Sequence, residues 1–133
     1  MRLIARLLIV VTLAVALASP SLALDLNSFR AQHKLPRLKY SALLAGAAYS
    51  HAHDLARRNH LDHNGFYERM SMISSMAAEN VLVGCRDKAC AFRVWAKSPG
   101  HRRNMLMKGV THYGLASATA ENGRMYWVLE LGN

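Results

Sequence analysis

Two runs of alternating character, residues 113–120 and 124–131, flank the dipeptide Asn122-Gly123. Asn-Gly between such runs is a strong hairpin signal, because both residues tolerate the positive φ that a tight antiparallel turn demands. In the second run Tyr126, Val128 and Glu130 fall on one face, and Met125, Trp127, Leu129 and Leu131 on the other. A chain with this hairpin must build an antiparallel sheet, and its remaining elements must cover that sheet.

Those remaining elements read mostly as helices. Asp25 can cap a helix running through Lys34, stopped before Pro36. Ser41 can cap a longer one over residues 42–59, where Leu44, Ala47, Ala48, Ala52, Leu55 and Ala56 form one apolar stripe. Asn64-Gly65 signals a turn, and residues 66–76 read as a short helix followed by a loop. Residues 78–83 read as a buried strand ended by Gly84. Residues 90–97 read as a helix with Phe92 and Trp95 inward. Ser98-Pro99-Gly100 breaks it, and Pro99 can open a further helix through Met107. Helices first, one strand between them and a hairpin last is an α+β order, unlike the strict alternation of βαβ units.

The first 23 residues read as an address. Arg2 and Arg6 precede an uncharged apolar run over residues 7–18, and Pro20 separates it from the small residues Ser21 and Ala23. This is a signal-peptide pattern with cleavage after Ala23, leaving a single domain over residues 24–133. The competing reading is an uncleaved anchor, since residues 7–24 carry no charge. Export implies a secreted or periplasmic protein, expected to be monomeric with no membrane span after cleavage. The whole chain has 17 Lys and Arg against 8 Asp and Glu; without Arg2 and Arg6 the balance is +7. Such a charge draws a protein toward anionic lipid headgroups, cell-wall polymers and nucleic-acid debris, or simply keeps it soluble. Arg57-Arg58, Arg102-Arg103 and Lys108 come with no nucleic-acid recognition motif, so no specific nucleic-acid partner is expected.

Two cysteines exclude a disulfide-dense scaffold and a four-thiolate zinc site. Cys85 and Cys90 enclose four residues; in an oxidising compartment they form a disulfide, the alternative being a reactive thiol. No HExxH, GxSxG or glycine-rich phosphate loop occurs. His51 and His53 lie two apart on a helix and point in different directions, whereas His60 and His63, three apart, are a potential pair. Met70, Met72, Met76, Met105, Met107 and Met125 read as core or groove filling in preference to a copper site. Three positions stand out by context: His63 at a turn, Glu79 entering an apolar strand, and His101 at a helix start. A carboxylate among apolar neighbours must be paired or tuned, because its burial alone is costly.

Six segments then become recognisable in order: residues 26–38, 43–56, Asp62-His63, Ala78-Glu79-Asn80-Val81, residues 95–104 with Ser98-Pro99-Gly100-His101-Arg102, and Tyr126-Trp127-Val128. The chain resembles the CAP superfamily (SCP domain) of cysteine-rich secretory, antigen 5 and pathogenesis-related proteins, in a short bacterial form. The resemblance implies a three-layer α-β-α sandwich with a central antiparallel sheet and an open cleft. There His63, Glu79 and His101 would match the family's two histidines and one of its two acids. In some members the histidines bind Zn²⁺; His63 and His101 would then be the metal ligands and Glu79 a general base acting on bound water. The sequence departs from the pattern where the second acid usually follows the helix tryptophan, since Ala96, Lys97 and Ser98 stand there. Lys97 near the cleft would oppose a cation, Ala78 replaces a glycine, and Arg102-Arg103-Asn104 makes one rim basic. Two functions are therefore expected of the cleft: binding a lipid, sterol or other cell-envelope ligand, or zinc-assisted, peptidase-like hydrolysis.

Overall fold

The computed structural model describes residues 24–133; the expected signal peptide and its cleavage point lie outside them. Helix α1 spans Leu26–Gln32, strand β1 Lys39–Tyr40, helix α2 Ala42–Arg58, helix α3 Phe66–Met70 and strand β2 Ala77–Val83. Helices α4, Lys88–Lys97, and α5, Pro99–Met105, follow, and strands β3, His112–Thr119, and β4, Met125–Gly132, complete the chain.

The helix starts follow their caps. Asp25 accepts the Ser28 amide at 2.7 Å and Ser28 Oγ returns a bond to residue 25, which fixes α1. That helix stops two residues short of the expected Lys34, which adopts a positive φ of 58°. Ser41 caps α2, which ends as Asn59 turns left-handed at φ 50°. Asp87 caps α4, two residues ahead of the expected start. The hairpin forms as the Asn-Gly signal requires, but through the five residues between Thr119 and Met125 instead of a two-residue turn, with only Gly123 at positive φ.

The strands form one sheet in the order β1-β3-β4-β2. β3 pairs antiparallel with β4, and β4 antiparallel with β2. β1 pairs parallel with β3, an edge the sequence did not announce: two exposed residues carry no periodicity, and only their partner defines them. The remaining sheet is antiparallel, as expected.

Alternation along β4 divides the core. Tyr126 and Val128 pack with Val81, Ala118 and the α2 stripe of Ala48, Ala52, Leu55 and Ala56. Trp127, Leu129 and Leu131 face the opposite layer, with Leu26 and Phe29 from α1, Phe92 and Trp95 from α4, and Met105 from α5. This is a three-layer α-β-α sandwich. The small side chains of α2 let it approach β3 so closely that a Cβ on Gly114 would lie 2.1 Å from the Ala45 nitrogen. A disulfide joins Cys85 to Cys90, Cα atoms 5.5 Å apart, and Trp127 Nε1 donates to the Cys85 carbonyl at 2.8 Å. The loop between β2 and α4 is thus held at both levels.

Candidate functional site: a carboxyl pair at the open edge of the sheet

β2 forms the edge of the sheet opposite β1. Antiparallel register sets Glu79 of β2 directly across from Glu130 of β4. Odd positions of β2 and even positions of β4 share the face covered by α2, so both carboxyls enter the same buried layer. Both residues are buried, Glu130 completely. Two carboxylates in direct opposition away from water repel, and one must hold a proton.

The surroundings decide which. Burial raises the pKa of Glu79, but a hydrogen bond from Glu130, one from His63 and the charge of Arg69 outweigh it, and the group is held below its ordinary value. For Glu130 burial dominates, the neighbouring Glu79 charge adds to it, and its pKa rises far above the carboxylate range. Glu130 is therefore the neutral acid at physiological pH. No N–H or O–H of another group donates to either Glu130 oxygen. A protonated carboxyl needs none for its hydroxyl, which donates to Glu79.

The rest of the site is built around the Glu79 carboxylate. His63 Nδ1 lies 2.6 Å from Oε1 and Arg69 bonds Oε2, while Arg69 Nε stands 3.6 Å from Glu130 Oε1. A carboxylate only accepts, so His63 presents Nδ1–H to it and its Nε2 is left to solvent, the side chain being half exposed. His51, buried on α2, donates Nε2–H to the Asp62 carbonyl at 2.9 Å and so fixes the backbone just before His63. Asp62 in turn is clamped by Arg58, with bonds of 2.7 and 3.1 Å that depress its pKa to about 2.

His101 reaches the same edge from α5. Asn80 Nδ2 donates to the His101 carbonyl at 3.0 Å, and Asn104 Nδ2 bonds both Asn80 Oδ1 and the Glu79 carbonyl, at 2.9 and 3.1 Å. Burial, and secondarily the charge of His63, lowers the pKa of His101, and its Nδ1 is enclosed without a partner. The three residues singled out in the sequence thus gather at one edge, His63 in direct contact with Glu79. His60 does not pair with His63; it is exposed, 3.9 Å from Asp62. Met70 and Met105 are core, whereas Met72 is fully at the surface.

No acid closely follows Trp95, and the second carboxyl comes instead from Glu130 on β4. Its face on the strand was legible; its register partner was not. The cation bonded to the cleft acid is Arg69, from the short helix after the Asn64-Gly65 turn, and Lys97 is simply exposed. Among the described residues no three His, Cys, Asp or Glu side chains converge on a metal position. His63 Nδ1 and Arg69 occupy the Glu79 oxygens, so two imidazoles are what the cleft offers a cation.

Beside these groups lies a cleft of about 260 Å³ lined by His63, Phe66, Ala78, Glu79, Asn104 and Met107. An adjoining groove of about 340 Å³ runs past Tyr67, Met70 and Ser74, and shares Phe66 and Ala77 with the cleft.

This arrangement can be set against known proteins. The profile of the CAP, or cysteine-rich secretory protein, family matches residues 25–131. The chain belongs to the CAP family. An uncharacterized membrane protein of Bacillus subtilis, YlbC, is 29% identical over 101 residues, which is 69% of this chain and 29% of that protein. The chain thus spans under a third of that relative. An outer surface protein of Borrelia burgdorferi has the same fold, with a TM-score of 0.73 at 16% identity over 81% of this chain and 86% of that one. So does an SCP-domain extracellular protein of Bacillus anthracis, with a TM-score of 0.72 at 23% identity over 81% and 37% of the two chains.

Proposed function

We propose that this CAP domain is exported and binds an anionic amphiphile of the cell envelope, head group at the His63–His101 edge and apolar part along the Phe66–Met70 groove. The observation that carries this reading is the continuity of the two: Phe66 and Ala77 line both the cleft that His63, Glu79 and Asn104 border and the groove past Met70. Tyr67, which lines the groove, is exposed. A site that joins few polar groups to apolar walls suits a ligand with one polar end. The balance of +7 beyond the leader favours an anionic surface over a neutral one. Glu79 supports binding over base catalysis, since His63 and Arg69 already hold its charge. Flotation with vesicles containing phosphatidylglycerol, against phosphatidylcholine alone, tests this at physiological salt. The reading expects the protein to float with the first and not the second, and fails if it floats with neither.

One observation favours a second reading, hydrolysis in the same cleft. A histidine whose Nδ1–H is held by a buried carboxylate presents a basic Nε2 outward, the arrangement of a general base acting on water. Loss of ester or peptide hydrolysis in His63→Ala would support it; no hydrolysis by the native chain, with or without added Zn²⁺, would remove it.

A further inference from the structure

A larger cavity lies away from the carboxyl pair, between the last turns of α2 and the turn joining β3 to β4. It measures about 460 Å³, within the range of small-molecule sites. His53, Arg57, Asn59, Thr119, Glu121 and Asn122 line it. We infer that this cavity is a second binding site, for a neutral saccharide.

Three features lead there. First, the lining is largely polar and carries no unpaired cation: Arg57, on the α2 side, is bonded to Asp54, and Glu121 stands on the turn, so an anion is not selected. Amides, a hydroxyl and charges of both signs instead suit a ligand carrying many hydroxyls, each both donor and acceptor. Second, the floor is pre-ordered. Asn59 leaves α2 in a left-handed conformation, and its Oδ1 accepts both Tyr126 OH at 2.8 Å and Asn122 Nδ2 at 3.0 Å. Tyr126 is buried, so this clamp joins the cavity to the core. With Oδ1 doubly occupied, the amide orientation is set and Asn59 Nδ2 remains a donor for a ligand. Asn122 Oδ1 takes the Arg124 amide at 3.1 Å, which orders the opposite lip.

Third, an aromatic platform adjoins the wall. One turn before His53, Tyr49 packs against its ring at a 41° tilt with centroids 4.1 Å apart, and Tyr49 is 58% exposed. Aromatic faces with a polar edge pack against the C–H face of a sugar while its hydroxyls reach polar partners. The cavity is distinct from the cleft at β2, so the two proposals stand or fall separately.

The test is an NMR titration of ¹⁵N-labelled exported protein with chitotetraose, a neutral N-acetylated oligosaccharide. The expected result is saturable shifts of the Asn59 and 119–122 amides, with a Kd of about 1 mM, as befits an open site. Tyr49→Ala should raise that Kd by about fivefold or more, with the spectrum otherwise native. Three results would overturn the inference: no saturable shift up to about 10 mM, shifts confined to the His63 edge, or a Tyr49→Ala protein that binds as tightly as the native one.

Discussion

At the scale of single residues, the defining event is the sharing of one proton by two opposed carboxyls. Glu130 holds it, so the folded state binds a proton that the unfolded chain releases above its value of 4.5. The stability contributed by Glu130 is complete below that value and is lost as pH rises above it. Glu79 has the opposite sign: its lowered pKa contributes stability above the ordinary carboxylate range, lost on acidification. Glu130→Gln keeps a donor for Glu79 and removes the titration. It should gain about 1–3 kcal/mol over the native chain near pH 8, with the gain fading towards pH 5. Urea unfolding at the two pH values checks this; equal gains at both would contradict it. Glu79→Ala leaves Arg69 without its buried partner and should cost about 3–5 kcal/mol. His63 and Glu79 could be picked out of the sequence because a turn histidine and an acid in an apolar strand are locally anomalous. Glu130, Arg69 and His51 could not, because their meaning lies in cross-strand register and in helix docking.

At the scale of elements, local chemistry set most boundaries. Ser41 and the alanine-rich stripe placed α2 within one residue at its end, since cap and periodicity act in the same short stretch. β1 has no such signature and exists through β3 alone. The approach of α2 to β3 makes Gly114 the narrowest point of the sandwich. Gly114→Ala should force the helix outward and cost about 2 kcal/mol or more, read as a lowered Tm. Reducing Cys85–Cys90, or replacing both by Ser, should cost about 2 kcal/mol, because the closed loop is short. A urea midpoint unchanged by reduction would show that the Trp127 bond alone holds the loop.

At the scale of the molecule, the order of helices, strand and hairpin spoke for an α+β fold, and resemblance supplied the layering that the coordinates bear out. The continuity of cleft and groove was illegible because it depends on two neighbouring cavities sharing Phe66 and Ala77, which lie eleven residues apart. Charge acts at this scale too. Binding to phosphatidylglycerol vesicles should weaken as salt rises, yet persist in part through apolar contact. Loss of all binding at high salt would leave electrostatics alone and no role for the groove. The central claim is that the cleft holds an envelope lipid, and native mass spectrometry of protein from the exported fraction of its own cells tests it most directly. The account predicts a chain beginning at residue 24 that carries a lipid-sized adduct, lost in the His63→Ala, Phe66→Ala double variant. A native chain without adduct, or with stoichiometric Zn²⁺ in its place, would contradict it.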